Sequence, residues 1–439
     1  MPEFLPFRGI RYSARFGGEL TPLVAPPYDI LSDADVARLY SESEYNVIRL
    51  DLGIAGDTGK DGWHEASGRL LAAWRQSGVL AAEERPAYYI LRQTYSVPGG
   101  GRKKLTGVIG ACRLTPWKSG DVLPHEHTFA KPKEDRLRLM RCTDANLSQV
   151  YGFYSDAELT VDKLIASELE RPPAVAATDW DGGRHELWVL TDPERQRSIA
   201  RALERRTAFI ADGHHRYETA LAFRDEKAAA QGKIPGAGWN YVMMLLVNLD
   251  AGGITILPTH RLINQRPVPE PEAIAGALEP WYAAEVVACG SAEGLERAER
   301  EVTEASGKIA IYLGGRWLWL APKDREGVGR AIDEPLADAV RRLTVTALHQ
   351  IVLPKGFGID KETVSRGGAV EYLRSAREGT GRVDAGEAGA LVYLPAPTPR
   401  DVLAVAEARA VMPHKSTYFY PKLLTGLVIN DLTIPVSKP

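Results

Sequence analysis

The chain has 439 residues, 25% charged and 44% hydrophobic, with Lys+Arg 54 against Asp+Glu 57 and a formal net charge of −3. This composition excludes disordered, collagen-like and fibrous classes, allows two or three domains, and argues against a dedicated nucleic-acid binder, which carries a strongly basic domain. Three scattered cysteines, Cys112, Cys142 and Cys289, are too few for a disulfide framework or a four-cysteine zinc site and suit a reducing compartment.

Helical and strand patterns alternate along the chain. Ala25-Pro-Pro-Tyr-Asp-Ile-Leu-Ser32 is an extended, proline-stiffened loop, and Ser32 with Asp35 has the spacing of a capping box that opens a short helix. Tyr45–Leu52 reads as a strand. Residues 61–77 read as an amphipathic helix with Trp63, Ala66, Leu70, Leu71 and Trp74 on one face and Gly78 at its end. Residues 87–97 and 104–114 are β-formers around Pro98-Gly-Gly-Gly101, a hairpin signal. Residues 115–135 carry three prolines and no helical or strand period, which predicts a long, ordered, irregular loop of the kind that often carries function.

A strand pair over about 173–190, turning at Asp181-Gly-Gly183, precedes a charged helix near 192–204. Thr207–Ala211 then reads as a buried strand, Asp212-Gly-His-His-Arg216 as a turn, and Tyr217 to about Ala230 as a helix. Tyr241–Leu249 and Gly253–Leu257 are predicted to form a hairpin. Arg266-Pro-Val-Pro-Glu-Pro271 is the predicted linker, giving a first region of residues 1–265 and a second of 266–439. The second continues with a helix (272–282), a strand, a helix (292–305), a Trp-rich hairpin (308–321), further helices, a Gly-rich stretch (378–389), a strand Ala390–Leu394 and a helix 400–410. No apolar run approaches the ~20 residues that span a bilayer. The N-terminus lacks the pattern of a signal peptide, so a cytoplasmic protein is expected.

Phe209-Ile-Ala-Asp-Gly-His-His-Arg-Tyr-Glu-Thr-Ala220 is the strongest chemical segment. An apolar strand ends in an acid, a glycine permits a tight turn, and a helix opens at once. A helix N-terminus offers unpaired N–H groups and a partial positive charge, so Gly213, His215 and Arg216 are candidates for holding phosphate. Asp212 is placed to hold a metal or orient a hydroxyl, and His214 to move a proton. In the irregular segment, His125 and His127 would point the same way from extended backbone, with Glu126 pointing away. Two imidazoles alone fall short of a metal site. The following Lys131, Lys133, Glu134, Asp135 and Arg136 favour contact with a substrate or nucleotide. Pro258-Thr-His-Arg261 and Pro413-His-Lys-Ser-Thr-Tyr-Phe-Tyr-Pro-Lys422 are further cationic clusters. Concentrating cations in a chain of near-zero net charge suits a small polyanion such as a nucleotide. Walker-A, G-x-G-x-x-G, H-E-x-x-H and G-x-S-x-G sequences do not occur, which disfavours P-loop ATPases, dinucleotide dehydrogenases and α/β-hydrolases.

Pro124-His-Glu-His-Thr128, Pro132-Lys-Glu-Asp-Arg-Leu137, Ala145-Asn-Leu-Ser148, Ala211-Asp-Gly-His-His-Arg-Tyr-Glu218, Leu257-Pro-Thr-His-Arg261 and Pro413–Lys422 resemble the signature blocks of a bacterial and archaeal family known as domain of unknown function 1015. The strand–Asp-Gly-His-x-Arg–helix block is similar, over about a dozen residues, to the nucleotide-binding block of the ParB/sulfiredoxin-like superfamily, which includes kinases of free serine. That resemblance implies an α+β protein whose first region holds a ParB/sulfiredoxin-like mixed-sheet core, followed by a C-terminal α+β domain that lends a loop to the site. It implies a phosphotransferase using ATP or ADP with Mg²⁺ on serine or a related hydroxy acid. The expected roles are catalysis by Asp212, His214 and Glu126, with Asp212 also on the metal; phosphate binding by Gly213, His215, Arg216, His260, Arg261 and Lys415; and substrate binding by His125, His127, Lys133 and Arg136. His215 stands where the serine kinases often have Thr or Asn, and no cysteine matches the sulfiredoxin nucleophile. The alternatives are a ParB-like nucleotide switch and a metal-dependent hydrolase built on His125, His127, Asp212, His214 and His260.

Overall fold

The computed structural model describes residues 2–53, 62–98, 100–126, 128 and 130–439, the side chains of 130–132 excepted. The chain forms two compact units, Met1–Ile254 with Pro421–Pro439, and Thr255–Tyr420. The division falls ahead of the proline-rich 266–271, and the C-terminal segment returns to the first unit.

The first unit is built on a nine-stranded mixed sheet, in the order Val122–Leu123, Ala208–Asp212, Val150–Tyr154, Tyr241–Asn248, Arg102–Arg113, Tyr88–Ser96, Arg184–Leu190 and Val175–Thr178, with Phe4–Leu5 added on Arg102–Arg113. Tyr241–Asn248 is buried at every residue because both neighbours and both faces are covered. Its Met244 and Leu246 share a core with Ile210, Tyr217 and Phe223, so the strand–turn–helix segment is packed into the centre of this unit. A second, four-stranded sheet unites Gly9–Tyr12, Leu80–Ala82, Ala145–Asn146 and Ile429–Asp431. The second unit has a six-stranded antiparallel sheet and its own core around Trp317, Trp319, Leu391 and Tyr393. The protein is thus a mixed helix-and-sheet molecule with a large mixed sheet. Among the described residues no helix is long and apolar enough to cross a membrane.

Local signals locate most elements. The Ser32–Asp35 capping box is present in full. The amphipathic helix runs Trp63–Gln76, and the hairpin pairs Tyr88–Ser96 with Arg102–Arg113, Gly99 at its tip lying outside the described residues. Three expectations fail. Tyr45–Leu52 holds a helix, Ile48–Asp51, because the Asn46 side chain accepts from the Ile48 N–H and holds the chain in a helical turn. The irregular segment ends early: Ala130–Thr143 is helical, since a proline at position 132 falls in the first turn, where no intrahelical donor is needed. Tyr241–Asn248 and Thr255–Leu257 are not a hairpin; the latter pairs with Tyr418–Tyr420. The Gly-rich stretch overlaps the helix Ala376–Asp384, opened by Ser375 accepting from the Glu378 N–H.

Candidate functional site

The strand Ala208–Asp212 lies between Val122–Leu123, parallel, and Val150–Tyr154, antiparallel, with a bulge between Ile210 and Asp212. Two chain crossings, 122–126 and 208–216, therefore end side by side. Gly213 turns the chain at φ 94°, a left-handed conformation that a side chain resists, and a Cβ there would lie 2.9 Å from Arg216 Nε. The helix His214–Gln231 starts immediately.

Asp212 is the hub. Its Oδ1 accepts from Lys422 Nζ at 2.6 Å and its Oδ2 from Arg216 Nη2 at 2.7 Å. Burial favours the neutral acid, but Lys422 and Arg216 outweigh burial and hold the carboxyl at about 2. Arg216 Nη1 also donates to the carbonyl of Gln149, which ties the first helical turn to the neighbouring strand's edge.

His125 and His214 meet edge to face at 4.7 Å between ring centres, and both are buried. His125 Nδ1 lies 2.8 Å from the Ile210 carbonyl and so carries the proton. The His125 backbone N–H donates to His214 Nε2 at 3.3 Å, which leaves the His214 proton on Nδ1, 4.0 Å from Glu126 Oε1. Burial pushes His125 down to about 4 and His214 well below the ordinary imidazole value, so both rings are neutral at physiological pH. His215 is half-buried, and burial lowers it as well.

The other predicted residues divide. Lys133 pairs with Glu218 Oε2 at 2.7 Å, and Glu218 also accepts from Trp117 Nε1 and Thr128 Oγ1. Burial would raise the Glu218 carboxyl, but these donors hold it down. Arg136 is buried, donates to Asp51 Oδ1 at 3.0 Å and Asp135 Oδ2 at 2.6 Å, and lies 4.2 Å from the Tyr28 ring centre. His127 lies outside the described residues. His260, Arg261 and Lys415 belong to the second unit.

The family described as Protein of unknown function (DUF1015) matches residues 4–346. The chain belongs to that family. No curated protein matches it. Among solved structures it is similar to a free serine kinase in complex with AMP, at 13% identity and TM-score 0.32, covering 70% of this chain and 89% of that one. It is also similar to Staphylococcus aureus SbnI with a C-terminal truncation, at 11% identity and TM-score 0.35 over 74% and 87% of the two chains. A conserved hypothetical protein from Pyrococcus furiosus gives 12% identity and TM-score 0.30 over 70% and 92%.

Among the described residues no group of three or more His, Cys, Asp or Glu side chains could hold a metal ion. Of the hydrolase set, His127 lies outside the described residues, His260 belongs to the second unit, and within the first unit the His125 ring bonds the Ile210 carbonyl while His214 accepts from the His125 backbone N–H. Mg²⁺ on Asp212 does not fit this geometry either, because both carboxylate oxygens are occupied by cations.

Sequence reading missed Lys422 and Glu218 as individuals, though both stand in the quoted motif blocks. Glu218 follows His214 by four residues and so shares its helix face, a signal that was available. Lys422 carried no such signal, being 210 residues from Asp212.

Proposed function

We propose that the first unit binds the phosphates of a nucleotide at the Asp212–Gly213–His214 turn and transfers a phosphoryl group to a small hydroxyl-bearing acceptor such as serine or a related hydroxy acid. The observation that carries this reading is the convergence of Lys422 and Arg216 on Asp212 at the N-terminus of an 18-residue helix. Two cations meet on one carboxylate in the turn that opens the helix, and cations beside a helix N-terminus suit a polyanion.

Phosphoryl transfer depends mainly on positioning and charge stabilisation. In this reading Asp212 keeps Lys422 and Arg216 oriented, Gly213 lets the phosphates approach the backbone, and His215 borders them. Glu126 takes the acceptor's hydroxyl proton, and neutral His214 directs its Nδ1–H toward that carboxylate. Mg²⁺ accompanying ATP or ADP would supply neutralisation of phosphate charge, and this reading assigns it no protein ligand. The reading includes a ParB/sulfiredoxin-like core for this unit, supported by the Asp212–Arg216 block.

The test is a thermal-shift panel of ATP, ADP, CTP and GTP with Mg²⁺, on wild type, Arg216→Ala and Lys422→Gln, followed by assay of serine phosphorylation. A nucleotide at ~100 times its Kd stabilises by about 2.7 kcal/mol. One nucleotide should shift the wild type and lose that shift in both variants. No shift for any nucleotide refutes the proposal.

A further inference from the structure

Among the described residues, Arg261 is the largest charged side chain buried without an opposite charge. It is 0% exposed. Its Nε donates to His349 Nε2 at 3.3 Å, and its Nη1 and Nη2 donate to the carbonyls of Thr259 and Lys415. The Tyr372 ring lies 4.6 Å from its central carbon. No carboxylate pairs with it among the described residues, and burial lowers its pKa to about 10 with only Tyr372 opposing. His349 supplies no charge either, because burial pushes its imidazole to about 3 and leaves it a neutral acceptor.

The register shows a one-sided arrangement. Arg261 stands opposite Tyr372 in the antiparallel pair His260–Ile263 and Val370–Leu373, and Arg374, two residues beyond Tyr372, continues the same side. Glu371, on the other side, is consumed by Arg382 through bonds of 2.8 and 2.9 Å. Exposed Lys415 places its ammonium 5.1 Å from the same Tyr372 ring. Exposed Arg374 donates to Tyr418 Oη at 2.8 Å. Arg261, Arg374 and Lys415 thus gather around Tyr372 and Tyr418, and none has an acidic partner among the described residues.

Local backbone supports the grouping. Lys415 has φ 51°, a left-handed conformation that a lysine rarely adopts and that recurs at functional sites. His349 sits in a π-helical segment, Leu348–Phe357, another feature common at such sites. A buried unneutralised guanidinium costs stability unless something completes it. Its field, in a low-dielectric surrounding, raises the anion affinity of the exposed cations above it.

We propose that this face of the second unit binds a dianionic oxyanion, a phosphate ester or a dicarboxylate, at Lys415 and Arg374, with Arg261 as the buried charge beneath. The inference goes beyond the nucleotide reading and stands without it. Calorimetric titration of the full chain with inorganic phosphate, and separately with malonate, tests it. Binding should persist in Arg216→Ala and weaken about tenfold in each of Lys415→Gln and Arg374→Gln, as expected for loss of a charge-assisted hydrogen bond. Both replaced side chains are exposed, so the variants should fold. Tighter phosphate assigns the phosphate ester and tighter malonate the dicarboxylate. Binding of neither anion overturns the proposal. So does binding that is lost in Arg216→Ala and untouched by the other two variants, which would assign the anion to the first unit.

Discussion

Asp212→Asn removes the charge at the hub while keeping the side chain's shape. The folded carboxyl is held at about 2 against an ordinary value of 3.8, a difference worth about 2 kcal/mol. Because the folded value lies below the unfolded one, this contribution is complete above pH 3.8 and disappears as pH falls through about 2. The side chain is 22% exposed, so solvent screening trims the figure. The variant also strands Lys422 and Arg216, which are 15% and 14% exposed, without a counter-charge. Removing one partner of a buried pair costs ~3–5 kcal/mol, and partial exposure puts the expectation at about 3 kcal/mol near pH 7. Urea titration read by hydrogen exchange in residues 208–231 reports the first unit alone. The gap between wild type and variant should narrow on acidification from pH 4 toward 2, as the wild-type carboxyl protonates. An Asn variant as stable as wild type at pH 7 would refute the hub role.

Two further outcomes follow from the same geometry. Burial holds His125 at about 4 against an ordinary 6.5, so the unfolded chain binds the extra proton and acidification from pH 7 to 4 should cost about 3 kcal/mol through this residue. His125→Phe should flatten that part of the first unit's stability–pH profile, and an unchanged slope would contradict a neutral buried ring. Arg136→Met should destabilise the first unit by about 3 kcal/mol, because it strands the buried Asp51 carboxylate. Substrate affinity that falls while stability, measured by the same exchange experiment, stays constant would instead restore Arg136 to the substrate site.

Much of the local structure was legible because short-range chemistry decides it. Ser32 and Asp35 satisfy each other's backbone donors three residues apart, so the capping box reads directly from the chain. Gly213 is required by the left-handed turn between an apolar strand and a helix, and that pattern announces the site. Where expectation failed, a distant or adjacent partner overrode propensity. Thr255–Leu257 follows Tyr241–Asn248 closely yet bonds to Tyr418–Tyr420, a choice no local pattern records. Tyr45–Leu52 looks like a strand because Val47, Ile48, Leu50 and Leu52 are apolar, but Asn46 bonds the Pro22 and Val24 carbonyls and folds Ile48–Asp51 into a helical turn.

The sequence by itself determined the family blocks, the strand–turn–helix at Asp212–Arg216 and the concentration of cations in a nearly neutral chain, since each rests on residues adjacent in the chain. Only the tertiary structure decided how those cations are used. It brought Lys422 to Asp212 across 210 residues, bound Arg136 and Lys133 to carboxylates, and left Arg261 buried without one. The reason is physical: a charge's role depends on which opposite charges share its low-dielectric surroundings, and that is set by packing between segments far apart in the chain.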